Sequence, residues 1–398
     1  MIWVALLLIF VPLLLFVAAY LLYPVVLALL PARHTVVTPS DWGNADDWPE
    51  VTISVPVYNE AAAIRGTLES LLALDYPAGR RHIVVVSDAS TDGTDGIVEE
   101  FADRGVTLIR LPRRGGKTAA ENAVAPALRG TIVVNTDATI RIPEGSLKAL
   151  VAAFRDPTVG VASGRDISVS TVTRDANRGE SRYVGYEMWV RRMETRVDSI
   201  VGASGCFYGI RRSLFDSIFP EALSRDFASP LIAREHGYRS VSVDDATALV
   251  PRTTTLRAEY RRKVRTMTRG LETLWFKRHL LNPREYGAFA WMLLVHKLLR
   301  WMVFLALPLA VAGMGVLGLV WPPARLLWGG LGLAAAVAMV GLGLEARGVA
   351  LPRPLAMVTF AASTAVAGFV AWFRALRGEL DPVWEPTRRP ETTPKASS

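Results

Sequence analysis

Hydropathy divides the chain into blocks of two kinds. Residues 1–32 carry no charged side chain, and further apolar blocks fill about 298–320, 326–344 and 355–373. Each approaches the ~20 residues that cross a bilayer core as a helix. The first block has no basic stretch before it, and no small-residue cleavage site follows it. It is also longer than the apolar core of a signal peptide, so it reads as a retained anchor. Residues 50–280 are mixed and charged and read as globular.

Inside the globular stretch the pattern alternates. Val51-Thr-Ile-Ser-Val-Pro56 has strand length, and Ile64, Leu68, Leu71 and Leu72 then repeat with helical spacing. His82-Ile-Val-Val-Val86, 106–111 and 131–135 predict three more strands, separated by helices over 95–101 and 118–128. These strands are β-branched and continuously apolar, as in a parallel sheet covered on both faces. The expected fold is α/β, a doubly wound, mostly parallel sheet inserted between transmembrane helices. Such sheets bind ligands beyond the carboxyl ends of their strands.

Further along, 159–164 and 238–243 predict strands, and 180–197 and 225–236 predict helices. From 256 to 275 the pattern is amphipathic, with Arg257, Arg261, Arg265 and Arg269 every four residues and Leu256, Tyr260, Val264, Met267 and Leu271 opposite. That pattern suits a helix lying on a membrane surface. The expected organisation is an anchor (1–32), a linker (33–50), a catalytic domain (51–255), interfacial helices (256–297), a transmembrane bundle (298–373) and a polar basic tail (374–398).

Charge adds orientation. Arg33 and His34 follow the first apolar block and nothing charged precedes it. The positive-inside rule therefore puts the domain in the cytoplasm, with the chain in a bacterial inner membrane. The lone cysteine, Cys206, rules out an intramolecular disulfide. Net charge is +8, but the basic residues are interleaved with apolar spans. Anionic headgroups or a pyrophosphate are the expected partners, with no nucleic acid. Three full crossings after the domain would leave Arg374, Arg377, Arg388 and Arg389 outside, against the same rule. A cytoplasmic tail is expected, with one apolar block not crossing.

Three aspartates fall where the crevice of such a sheet should be. Asp88 follows the second strand, Asp137 follows the fourth, and Asp226 precedes a helix. Each alone reads equally well as a turn or N-cap aspartate. Three in one α/β unit favour a site.

The ordered set of motifs resembles family 2 inverting glycosyltransferases, which have the GT-A fold. The likeness runs through Val55-Pro56-Val57-Tyr58-Asn59-Glu60, Ser87-Asp88-Ala-Ser-Thr-Asp92-Gly-Thr94, Gly115-Gly116-Lys117, Thr136-Asp137-Ala138-Thr139, Gly205-Cys206-Phe207-Tyr208-Gly209-Ile210-Arg211-Arg212, Arg225-Asp226-Phe227 and His296-Lys297-Leu-Leu-Arg300-Trp301. It is nearest to the bacterial membrane-bound exopolysaccharide synthases, the hyaluronan, cellulose and poly-N-acetylglucosamine group.

The resemblance implies a role for each position. Pro56, Tyr58 and Glu60 would border the nucleotide, and Asp88 would accept from the base, since a uracil imide offers an N–H and a carboxylate only accepts. Lys117 would neutralise the donor. Asp137, with Thr139 where the family has its second acid, would hold Mg²⁺ or Mn²⁺ against the diphosphate. Asp226 would be the catalytic base, with Arg225 in place of the usual preceding acid. That arginine could alter acceptor binding or lower the pKa of the base. Gly205 and Cys206 would lie against the acceptor. Arg262 and Arg265 fall where processive enzymes carry Gln-x-x-Arg-Trp, and Arg265 would bind the diphosphate. Trp384-Glu-Pro-Thr387-Arg388 is similar to a gating loop that closes over the nucleotide.

The expected function is transfer of a sugar from a nucleotide-sugar, by preference a UDP-sugar, with inversion to a growing polysaccharide. Single transfer to a lipid carrier is the alternative, and a catalytically weakened assembly subunit is another. The last is kept open by Thr139 and by Thr266, which replaces the motif's tryptophan.

Overall fold

The computed structural model describes residues 1–41, 47–169, 176–215, 218–251, 256–347, 349 and 351–379. The gating-loop motif at Trp384 and most of the basic tail lie outside the described residues.

A seven-stranded sheet forms the centre, in the order β3-β2-β1-β4-β6-β5-β7. Its strands are β1 (Val51–Val57), β2 (Arg81–Ser87), β3 (Val106–Arg110), β4 (Ile132–Thr136), β5 (Val159–Val169), β6 (Phe207–Arg211) and β7 (Arg239–Pro251). The first four are parallel neighbours, as the continuous apolar runs require. Every residue of β1 and β4 is buried. The region called Gly205 to Arg212 in the motif reading contributes β6, which runs antiparallel between β4 and β5. Phe207, Tyr208 and Ile210 favour a strand, but the segment is short and interrupted by Gly209, and its antiparallel pairing depends on partners distant in sequence.

Helices cover both faces. One side is the cluster of Ile53, Val55, Ile64, Leu68, Ile83 and Leu150, and the other that of Val84, Val86, Val124, Val133 and Ile232. Of these, Ile64 and Leu68 come from α2 (Ala61–Leu72), Leu150 from α5 (Ser146–Ala152) and Ile232 from α7 (Arg225–Glu235). Val124 directly follows α4 (Lys117–Ala123), and the rest belong to β1, β2 and β4; α3 (Thr94–Glu99) packs beside α2. The chain enters β4 through Gly130, whose φ is +73°. A Cβ there would stand 1.9 Å from the Glu50 carbonyl oxygen, so only glycine admits this close approach.

The turns after β1 and β2 are sewn together. Asp92 Oδ2 accepts from the backbone N–H of Ala61 at 3.0 Å, and Oδ1 from that of Thr94 at 3.0 Å. One carboxylate thus serves the first turns of both α2 and α3. Although burial opposes it, these hydrogen bonds hold the Asp92 carboxyl below its usual range. A depressed folded-state pKa gives stability that is present above the unfolded value and lost as pH falls through the folded one. Asp92→Ala is expected to cost about 1 kcal/mol near neutral pH, and the difference from wild type should shrink in acid. Urea melts at both pH values check this.

Four helices are long and apolar enough to cross a membrane: α1 (Ile2–Leu29), α9 (Pro283–Val320), α10 (Pro322–Ala346) and α11 (Arg353–Leu376). The domain-side end of α1 packs its Tyr23 and Leu27 against Val190, Met193, Leu231 and Phe289. Val190 and Met193 belong to α6 (Ala176–Val197), which lies between α1 and the sheet.

The helix α8 (Leu256–Phe276) follows β7. Its arginine row does not face lipid as a set. Arg269 turns into the domain, where Nη2 donates to Thr118 Oγ1 at 2.8 Å and to the Glu221 and Leu223 carbonyl oxygens. Lys263 reaches α11, donating to Thr364 Oγ1 at 2.6 Å. The expectation of a lipid-facing stripe is corrected at Arg269. Carbonyl groups at the C-terminal side of the sheet attract that guanidinium more than a lipid surface does.

Candidate active site

The site forms where the carboxyl ends of β1, β2 and β4 meet the start of α4 and α7. Two non-glycine residues here hold left-handed backbone, Asn59 after β1 and Ala89 after β2. Such conformations persist only where surroundings over-determine them. At Asn59 the constraint is visible: its Oδ1 accepts from Thr91 N at 2.8 Å, and its N donates to Ser90 Oγ at 3.1 Å.

Asp88 is buried at the end of β2. Its Oδ1 accepts from Gly115 N at 2.7 Å and its Oδ2 from Gly116 N at 2.8 Å. The aspartate therefore shapes the Gly115-Gly116 turn that introduces Lys117. Tyr58 lies beside that turn, with the Arg114 guanidinium 3.9 Å from its ring centre. Glu60 is buried, its backbone N–H donating to Thr94 Oγ1 at 2.9 Å. Pro56 sits within β1, beside Val86 of β2.

Lys117 is the hub. Nζ donates to Asp137 Oδ1 at 2.6 Å and to the Gly205 carbonyl oxygen at 3.0 Å, and stands 4.0 Å from Glu121 Oε1. Burial alone would lower the lysine pKa. The carboxylates of Asp137, Glu121 and Asp226 outweigh it and hold the amine well above its ordinary range. The ammonium is thus a fixed positive charge at the end of β4.

Asp226, in the first turn of α7, faces the same point. Its Oδ1 accepts from Ser224 Oγ, and a Cβ on Gly205 would stand 2.6 Å from its Oδ2. A side chain at Gly205 would therefore push the Asp226 carboxylate from its place. Gly205→Ala should displace Asp226 and reduce turnover at least about tenfold with little change in melting temperature, since a misplaced reacting group loses orientation rather than packing. Steady-state kinetics and a thermal melt on one preparation check this. Cys206 follows, its N–H donating to Ser204 Oγ at 3.1 Å.

Arg225 packs beside Glu121. Its side chain is 3% exposed, donates to Asn122 Oδ1 and lies between the rings of Phe215 and Phe219 at 4.6 and 5.0 Å. Its Nε is 3.8 Å from Glu121 Oε2. The arginine next to the expected base is a buried residue, packed between two rings and beside Glu121.

Glu121 is a buried carboxylate that the motif reading missed. Burial pushes its pKa up, against the opposing pull of Lys117 and Arg225. Its four-residue offset from Lys117 was the available signal, since such pairs share a helix face. Tyr208, fully buried on β6, is pushed up by burial and by the nearby Glu121 and Asp226 carboxylates.

Lys117, Asp137, Gly205, Asp226 and Glu121 therefore converge, and Asp88 holds the turn that delivers the lysine. Arg262 and Arg265 lie on α8. The guanidinium of Arg262 is held by Glu259 at 2.7 and 3.0 Å, and Arg265 is partly exposed. The row member seen to join this region is Arg269, through Thr118.

Thr139 lies in the turn after β4, where Ile140 N donates to the Asp137 carbonyl oxygen at 3.2 Å. No group of three or more His, Cys, Asp or Glu side chains able to hold a metal occurs among the described residues. The donor set is one carboxylate and a neighbouring hydroxyl. It fits a hard cation that takes most of its ligands from phosphates and water, as Mg²⁺ does, rather than a site closed by protein.

Comparison with known proteins agrees with this fold. The beta-monoglucosyldiacylglycerol synthase of Synechocystis is 27% identical over 176 residues, 43% of this chain and 36% of the relative. An N-acetylglucosaminyltransferase of Mesorhizobium japonicum is 28% identical over 234 residues, 53% of each chain. The chain thus spans about a third to a half of the length of the curated relatives it matches. A mannosyltransferase from Pyrobaculum calidifontis, solved in complex with GDP-Man and Mn²⁺, superposes with a TM-score of 0.71. That match is 23% identical and covers 95% of this chain and 99% of the other. The sheet is that of the GT-A fold, and residues 52–219 match the description Glycosyl transferase family 2, so the chain carries a family 2 glycosyltransferase domain.

Proposed function

We propose that the chain transfers a glycosyl unit from a nucleotide-sugar donor, with inversion, to an acceptor carried by a membrane lipid. The observation that carries this is the bridge from Lys117 to Asp137 and the Gly205 carbonyl, with the Asp226 carboxylate against Gly205. A fixed cation for a diphosphate thus stands beside a carboxylate able to take a proton. A single displacement needs one base and no covalent enzyme intermediate.

In this reading Pro56, Tyr58 and Glu60 border the nucleotide. Asp88 keeps the Gly115-Gly116 turn in place, and its remaining lone pairs accept from the base. Lys117 neutralises the donor diphosphate. Asp137 and Thr139 hold Mg²⁺ or Mn²⁺, which supplies Lewis-acid stabilisation of the leaving nucleotide. Asp226 takes the proton of the attacking hydroxyl, and Gly205 and Cys206 border the acceptor. Arg262 and Arg265 close on the donor from α8, after Arg262 exchanges Glu259 for phosphate.

A lipid-borne acceptor, rather than a growing polysaccharide, is favoured by two observations. Four helices suit a membrane, and one relative is named for making a glucosyl lipid. The mannosyltransferase solved with GDP-Man makes guanosine donors a direct alternative to the UDP-sugar expected from sequence. The test incubates membranes bearing the full chain with radiolabelled UDP- and GDP-sugars and Mn²⁺, then extracts and sizes the product. Label in a single organic-soluble species is expected. Label in long polymer would replace the lipid reading with a synthase, and no product from any donor would overturn both.

A further inference from the structure

Behind Gly205 the chain buries a second group of charges that the donor reading does not use. Arg191, Glu187 and Glu194 come from α6, and His296, Lys297 and Arg300 from α9. Part of the group is well paired. Arg300 Nη1 donates to Glu187 Oε2 at 2.8 Å, and His296 lies between the two glutamates. Tyr23 of α1 donates its hydroxyl to Glu194. Burial would raise the Glu187 carboxyl, yet His296, Lys297 and Arg300 hold it well below the usual carboxylate range.

The remaining part is not balanced. Among the described residues the printed ion pairs of Arg191, Lys297 and Arg300 all go to one carboxylate, Glu187, while Glu194 pairs with His296. Arg191 is 8% exposed, yet its Nη1 and Nε make no hydrogen bond. The Nε stands 3.5 Å from Glu187, and Nη2 makes a long contact of 3.4 Å with the Ala203 carbonyl oxygen. Lys297 Nζ is likewise 3.5 Å from Glu187. A buried guanidinium with open donors is expensive, and such a group is normally explained by an ion or ligand that completes it.

Its place says which ligand. Lys297 Nζ lies 3.3 Å from where a Cβ on Gly202 would stand and 5.7 Å from the Phe227 ring centre. Arg191 touches Ala203, whose N–H donates to the Asp226 carbonyl at 3.4 Å. Both cations thus border the segments that carry Gly205 and Asp226. On the other side, Arg300 opens the long apolar stretch of α9, beside the end of α1.

We propose that Arg191 and Lys297 form a phosphate subsite for the acceptor, so that the acceptor is a lipid bearing a phosphate next to the hydroxyl that attacks. This rests on the assignment of Asp226 given above. A phosphate oxygen satisfies the open guanidinium donors, whose planar fork matches it, and neutralises the surplus charge. A neutral glycerolipid does neither.

The test measures binding without turnover. The purified full chain in detergent is titrated with octyl phosphate and with octanol. Wild type should bind the phosphate at least roughly tenfold more tightly, as one charge-assisted contact supplies. Lys297→Gln should remove that preference and Lys297→Arg keep it. Arg191→Gln is the second variant, read only on preparations that melt like wild type. Equal binding of the two ligands by wild type, or a Lys297→Gln chain that keeps the full preference, overturns the proposal. Transfer assays with vesicles containing phosphatidylinositol or a polyprenyl-diphosphate sugar then separate the two lipid sources, and diacylglycerol as the better acceptor counts against both. The assignment of Asp226 stands or falls separately, on whether Asp226→Asn loses sugar transfer while donor binding is kept.

Discussion

Asp226→Asn should lower the rate of sugar transfer by roughly 10²- to 10⁴-fold, the range a positioned general base supplies. Donor affinity should stay near that of wild type. The amide keeps the size of the carboxylate, and its carbonyl still accepts from Ser224. It cannot take a proton. The loss should therefore appear in kcat and in kcat/KM alike, with the donor Kd from equilibrium titration unchanged. A variant that turns over like wild type removes Asp226 from the chemistry. A variant that no longer binds donor makes it a binding residue instead.

Asp137→Ala should have the second-largest effect. It removes the partner 2.6 Å from Lys117 and the carboxylate that fits the metal. Donor affinity is expected to fall at least about tenfold and to lose its dependence on added Mn²⁺. Stability should fall by only about 1–2 kcal/mol, because the pair is about one-fifth exposed and Lys117 keeps the Gly205 carbonyl. The lysine's raised pKa fixes the sign of the pH effect. As long as Asp137 is ionised, the pair contributes below the ordinary lysine range and is lost as pH rises through the lysine's folded-state value. Donor binding that keeps its Mn²⁺ dependence in this variant would move the metal elsewhere.

What could be read before the structure was what local pattern determines. Buried parallel strands are continuous apolar runs, so β1, β2 and β4 appeared at their places, and acids after them marked the crevice. Lys117 and Asp137 meet because the turns after β3 and β4 open on one edge of the sheet, and Asp226 is brought there by the long connection that follows the antiparallel β6 and opens α7. What could not be read depends on partners far away in sequence. Nothing in Arg225 itself shows that it lies between Phe215 and Phe219 instead of beside its neighbour's carboxylate. The row of arginines on α8 has one periodicity, yet Arg269 is drawn into the domain by carbonyl groups contributed from other segments. The same holds for Arg191, whose open donors are a property of the packed helices and not of any motif.

The separation of roles in this site also bears on Thr139. In the proposed function, a single acid at the metal position would lean more heavily on a fixed cation, the role proposed for Lys117. The buried Glu121 adds a third carboxylate around it, which raises the proton affinity of the lysine and keeps it charged. The altered motif is therefore compatible with a working donor site, not only with a degenerate one.

A structure of the full chain with a nucleoside diphosphate-sugar and Mn²⁺ tests the account most directly. The diphosphate should lie between Lys117 and Asp137, with the anomeric carbon turned toward Asp226 across Gly205. A diphosphate seated on another face of the sheet, with Lys117 still closed on Asp137, would contradict it.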